Sequence, residues 1–106
     1  MTTCTCFIQE GLIPGSTEQR LAGGIREIVK RNSIDEDVQM TWITIPEGYG
    51  WTAGKPSTSS VVSLMTRDLK QSLRIQVMRS LCDLWIEHTR CDINEIIVSV
   101  LPLNQE

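Results

Sequence analysis

The chain reads as one strand-helix-strand unit written twice, the second copy displaced by about 58 residues. At that displacement Val38 falls on Ile96, Met40 on Val98, Ile28 on Ile86 and Thr2 on Ser60. The match is looser inside the helices, where Ile25 falls on Asp83 and meets Leu84 only after a slip of one residue. A length of 106 residues supports one core rather than two. The expectation is a single α/β domain over 1–106, built from two β-α-β repeats at about 2–46 and 60–102.

Residues 2–9 are small and β-branched and predict a strand that ends at Glu10 and Gly11. Ser16 with Gln19 forms an N-cap pattern, after which Leu21, Ala22, Ile25, Ile28 and Val29 recur at helical spacing until Lys30 and Arg31 close the last turn. The Gly23-Gly24 pair weakens this helix. Residues 38–45 predict a second strand, parallel to the first because a helical crossover separates them. Residues 60–66 predict the third. Asp68 with Gln71 repeats the cap pattern before a long helix with Leu73, Val77, Met78, Leu81, Leu84 and Trp85 along one face and Asp83 on the solvent side. Ile75, Cys82 and Ile86 widen that stripe, so this helix is expected to bury against more than its own sheet. The acidic turn Asp35-Glu36-Asp37 is mirrored at 92–95, ahead of a fourth strand over 96–101.

Two such units can place both helices on one face of a four-stranded sheet. The other face, expected to carry Cys4 and Cys6, then lacks cover in so short a chain. Subunits packing these faces inward in an odd ring would supply it.

A net charge of −3 and a pI near 5.1 give no basic field, which argues against nucleic acid and anionic membrane surfaces as partners. Residues 1–10 do not resemble a leader, and no apolar run approaches the ~20 residues of a membrane span. A soluble, cytoplasmic protein is expected. Cys4, Cys6, Cys82 and Cys91 read as small core hydrophobes. His88 lies on a different helical face from Cys82 and suits a helix C-terminus better than a metal site. Neither a metal nor a cofactor is expected.

Between the repeats, residues 46–59 hold Gly48, Gly50, Gly54 and Pro56 with Tyr49 and Trp51 interleaved. A loop of that length is usually functional or mobile. It is not a phosphate-binding loop, because Tyr49 stands where that motif needs glycine and Pro56 follows Lys55 where it needs Ser or Thr. Aromatic side chains amid glycines pack on something, here a neighbouring subunit or a ligand. Trp42 suits strand core or an interface, and with Tyr49 and Trp51 it could wall an apolar pocket.

The opening Thr2-Thr3-Cys4-Thr5-Cys6-Phe7-Ile8-Gln9-Glu10-Gly11, the helix, the acidic turn before Val38 and the doubled unit together resemble the tautomerase superfamily. That superfamily includes 4-oxalocrotonate tautomerase, malonate semialdehyde decarboxylase, cis-3-chloroacrylic acid dehalogenase and macrophage migration inhibitory factor. The stretch Ser59-Ser60-Val61-Val62-Ser63-Leu64-Met65-Thr66-Arg67 is most similar to the decarboxylase and dehalogenase branches. The resemblance implies a homotrimer of doubled β-α-β subunits, with pockets near subunit boundaries. It also implies catalysis by an N-terminal proline amine, and here that position is Thr2. A free Thr2 amine would keep a reference pKa of ~7.7 to 8.0, usable as a base or in imine formation, and a retained Met1 would push the amine one residue out of place.

By the same resemblance Arg67 matches the arginine that holds a substrate carboxylate. Lys70 takes the place of the second arginine in an Arg-x-x-Arg pattern, and Asp37 matches an acidic residue that positions water or substrate. Two readings follow. One is a pocket for a small oxo acid or unsaturated carboxylate, supporting enol-keto tautomerisation, hydration or decarboxylation, with Thr2 and Asp37 as catalytic residues and Arg67, Lys70, Tyr49 and Trp51 as substrate-binding ones. The other is a catalytically inactive member that acts as a trimeric binding or structural protein.

Overall fold

Alternation of small side chains through residues 3–9 produces a seven-residue strand, and the computed structural model, which describes residues 1–103, forms β1 there (Thr3–Gln9). Helix α1 (Gly15–Arg31) crosses to β2 (Gln39–Ile45), which lies parallel to β1. The second unit repeats this order with β5 (Ser60–Thr66), α2 (Gln71–Thr89), a short 3-10 turn (Ile93–Glu95) and β6 (Ile96–Pro102), parallel to β5. Between the units, β3 (Trp51–Thr52) and β4 (Lys55–Pro56) make a small hairpin within what the sequence presents as one long loop. Ala53 and Gly54 both take positive φ, 54° and 77°, the geometry of a two-residue turn matched to strand twist.

The four long strands form one sheet in the order β2-β1-β5-β6, joined at its centre by the antiparallel pair β1 and β5. The register carries the repeat residue by residue. Thr3 pairs with Gln39 as Val61 pairs with Ile97, each partner 58 positions further on. The helices obey a different displacement. The buried residues Leu21, Ile25 and Val29 of α1 correspond to Val77, Leu81 and Trp85 of α2, which is 56 positions. The slip expected from Ile25 to Leu84 is therefore corrected to Leu81. The physical cause is that the connection into α2 is shorter, and the 19 residues of α2 against 17 of α1 restore the spacing before β6.

The expected helix starts are also corrected. Pro14 and Lys70, both extended, precede the first helical residues, and neither Ser16 nor Asp68 supplies a side-chain cap. Pro14 has no N–H to orphan and presets φ, so it begins a helix without a hydroxyl.

Both helices cover one face of the sheet. Cys4, Cys6 and Ile8 of β1 and Val62 and Leu64 of β5 are buried there with Leu21, Ile25, Val77, Leu81 and Trp85. Trp42 stacks on Trp85 with ring centroids 6.2 Å apart, joining the edge strand to α2. Cys4 and Cys6, expected on the uncovered face, are thus core residues on the covered one. Their sulfurs lie 3.8 Å apart, and that contact together with burial pushes the Cys6 thiol far above the usual range. Cys6 is therefore a protonated packing group rather than a reactive thiolate, and Cys4 is buried against it.

The uncovered face alternates apolar and hydroxyl side chains. Thr5 and Phe7 sit there beside Val61 and Ser63, flanked by the exposed Ile43 and Ile97. No helix among the described residues is long and apolar enough to cross a membrane.

Candidate functional site

The end of α1 decides what meets Thr2. Ser33 takes φ 56° and donates its N–H to the Lys30 carbonyl, while Ile34 donates to Val29. This is a Schellman closure, with Ile34 buried against the core. The chain leaves that turn with Asp35 directed at the start of β1.

Thr2 is 2% exposed, and its hydroxyl donates to Asp35 Oδ2 at 2.8 Å. The Thr66 hydroxyl oxygen lies 2.8 Å from the Thr2 hydroxyl oxygen. A hydroxyl has one proton, so Thr66 must be the donor to Thr2. Thr66 is the last residue of β5, brought here because β5 runs antiparallel to β1. Thr66 is 1% exposed, and its hydroxyl completes a chain of two hydroxyls ending on a carboxylate. The Thr2 hydroxyl and then the Glu36 N–H hold the Asp35 carboxyl below its ordinary range, with the nearby N-terminal ammonium adding to the shift. The Met1 ammonium is 3.9 Å from Asp35 Oδ2.

Asp37 sits at the same end but turns outward. It accepts the Val38 N–H at 2.8 Å, approaches Arg26 Nε at 3.8 Å, and its side chain is 83% exposed. Met1, Thr2, Asp35, Asp37, Val38 and Gln39 line a cavity of about 150 Å³. Arg67 follows Thr66 directly, and its Nη2 donates to the Ser33 carbonyl at 3.2 Å, on the same turn that presents Asp35. Lys70 lies exposed at the entry to α2. One end of the sheet therefore gathers Thr2, Thr66, Asp35, Asp37 and Arg67.

Tyr49 and Trp51 are elsewhere. They follow β2, whose last residue Ile45 accepts the Glu10 N–H at the far end of β1. A seven-residue strand spans roughly 20 Å, so within one chain these aromatics lie a strand length from Thr2. Tyr49 is 81% and Trp51 66% exposed.

Two polar residues of the Thr2 end, Asp35 and Thr66, are not among those the sequence singles out. Asp35 belongs to the acidic turn that was readable as such. Thr66 carried a signal only through the end of its strand. Among the described residues, no three His, Cys, Asp or Glu side chains gather as a metal site. His88 lies in the last turn of α2, 3.8 Å from Glu87.

Neither a protein-family model nor a curated protein matches the chain. Solved structures do. Native Ps01740 superposes with a TM-score of 0.89 at 23% identity, over 95% of this chain and 93% of that one. Pt0534 inactivated by 2-oxo-3-pentynoate gives 0.84 at 17% identity, over 95% and 85%. A fused 4-OT symmetric trimer, 4-OT being 4-oxalocrotonate tautomerase, gives 0.85 at 11% identity, over 95% and 85%. The doubled β-α-β chain, with its four-stranded mixed sheet covered by two helices on one face, has the tautomerase-superfamily fold.

Proposed function

We propose that the Thr2 end is a pocket for a small oxo acid or unsaturated carboxylate, completed between subunits of a homotrimer. The observation that carries this reading is the buried Thr66-Thr2-Asp35 hydrogen-bond chain with Arg67 beside it. Arg67 offers a planar fork for a carboxylate, and Lys70 adds a mobile point charge at the same helix entry. Asp37, free of burial, serves to orient water or the polar end of a substrate.

Thr2 is the reacting position. Removal of Met1 transfers the ammonium to Thr2, next to Asp35. The freed amine is then the group that moves the enol proton as acid or base. Asp35 is then the positioning residue. Tyr49 and Trp51 are exposed and a strand length away, so they can wall this pocket only if a neighbouring subunit supplies them. The fused 4-OT trimer gives such an assembly a precedent in the same fold.

A second reading, a non-catalytic trimeric binding protein, is favoured by the near-complete burial of Thr2 and the double engagement of its hydroxyl. One experiment separates the two. The protein, checked for Met1 by intact mass, is incubated with 2-oxo-3-pentynoate, the reagent that inactivates Pt0534, and assayed for ketonisation of an aryl-enolpyruvate. The enzyme reading expects an adduct on the Thr2 amine and turnover that Arg67→Ala reduces at least tenfold, about 1.4 kcal/mol. Absence of both adduct and turnover, with carboxylate binding retained, selects the binding protein.

A further inference from the structure

The opposite end of the sheet holds larger cavities that the Thr2 pocket does not use. One of about 230 Å³ is lined by Gln9, Leu12, Thr58, Ser60, Arg90 and Glu95, among others. Another of about 410 Å³ continues from Gln9, Leu12 and Thr58 to Glu10, Glu47 and Gly48.

By the repeat this end is the counterpart of the Thr2 end, with Ser60 in the place of Thr2 and Glu95 in that of Asp37. Both candidate anion anchors have been exchanged for uncharged residues. Gln9, the last residue of β1, stands for Arg67, and Pro14 stands for Lys70 before the helix. A cation has appeared instead at the helix end, where Arg90 caps α2 and Asn32 caps α1. The Asn32 amide is occupied by the Ile28 carbonyl and Gln76. Arg90 makes no ion pair among the described residues.

Glu95 lines the same cavity with the opposite charge. Its carboxylate accepts the Thr58 hydroxyl and, at 2.7 Å, the Asp92 N–H. Both bonds hold it in place as an anion and lower its proton affinity. Gln9, 8% exposed, spends its amide N–H on the Ser59 carbonyl at 3.1 Å, leaving Oε1 without a donor among the described residues.

We propose that this cavity binds a small zwitterion of the α-amino-acid kind, with its carboxylate on Arg90 and its ammonium toward Glu95 and the Gln9 carbonyl. A cation and an anion that share a cavity without pairing are each best satisfied by a ligand bringing the complementary charge. A simple carboxylate serves Arg90 and is repelled by Glu95, and a simple amine does the reverse. The volume is below the ~300–1,000 Å³ of drug-sized sites, which suits a molecule of amino-acid size. The proposal is independent of any activity at Thr2.

The test is an amide-resolved NMR titration of the full chain with L-serine, lactate and ethanolamine. Serine is expected to shift Gln9, Leu12, Thr58, Ser60 and Glu95, with lactate and ethanolamine weaker by about tenfold or more. Arg90→Asn and Glu95→Gln are each expected to weaken serine binding by about tenfold. Both variants should fold, because Asn suits the left-handed cap at φ 59° and Gln keeps an acceptor for Asp92. The proposal is overturned if serine produces no shifts, if its shifts cluster instead at Arg67 and Lys70, if lactate binds as well as serine, or if both variants bind serine as the parent chain does.

Discussion

Thr5 of β1 lies directly opposite Ser63 of β5, and the two are the same position of the two repeats. A residue that faces its own counterpart across an antiparallel pair sits on a local twofold axis. The strands at the two ends of the sheet are therefore copies in register, while the helix lengths, the connections and the side chains around them have diverged. Thr2, Asp37 and Arg67 at one end answer Ser60, Glu95 and Gln9 at the other.

The Thr2-Asp35 bond should be visible in acid unfolding. The folded Asp35 carboxyl is held below its ordinary range, so its contribution is fully present above the unfolded value of ~3.9 and is lost as pH falls through the lower folded value. Urea midpoints of the parent chain should fall across that window, and those of Asp35→Asn should fall less steeply. Glu95 is lowered too, so the slope should shrink without vanishing. Equal slopes would remove Asp35 from the account.

Thr2→Val keeps the shape of the side chain and deletes the hydroxyl. Thr66 loses its acceptor and Asp35 its donor, at a cost of about 1–3 kcal/mol. Thr66→Val should cost a similar amount, and the double variant less than the sum, because the two share one bond. Additive losses in chemical denaturation would show that the hydroxyls act separately.

Gly23 and Gly24 should respond oppositely to alanine. A Cβ at Gly23 meets nothing within 4 Å, whereas one at Gly24 would stand 2.3 Å from Leu84 Cδ1. Gly23→Ala should stabilise by about 0.5–1 kcal/mol through helix propensity. Gly24→Ala must displace Leu84, and about 1–3 kcal/mol of overpacking offsets or exceeds the same gain. A stabilised Gly24→Ala would mean that α1 and α2 are not in this contact.

The uncovered face is the surface proposed to pack in the trimer. Ile97 is 54% exposed there, so Ile97→Glu should leave the single-chain fold intact while burying a charge in any face-to-face assembly. Light scattering should report a fall from three chains to one. A variant that stays trimeric would place the subunit contact on another surface.

Much of the strand layout was legible because parallel crossovers and β-branched runs leave few alternatives. The phase of β1 was not. Thr and Cys are alike in size and weak polarity, so the run from Thr3 to Cys6 alternates without saying which set faces the helices. The large residues opposite, Leu21, Ile25 and Trp85, make that choice. Likewise, three adjacent acidic residues give no hint that Asp35 meets Thr2 while Asp37 meets solvent. A single left-handed residue, Ser33, sets that register. The helices hid their 56-residue correspondence because compensating length changes in a loop and a helix leave the strands at 58.

By itself the sequence determined the doubled unit, the helical faces and the parallel pairing inside each repeat, since all of these follow from local periodicity and short connections. Only the tertiary structure decided which residues share an end. Antiparallel docking of β5 on β1 brings Thr66 and Arg67 to Thr2, whereas the parallel β1-β2 pair leaves Tyr49 and Trp51 at the other end. The physical reason is that strand pairing between repeats joins residues far apart in the chain, and their relative direction is set by the packing of one shared core.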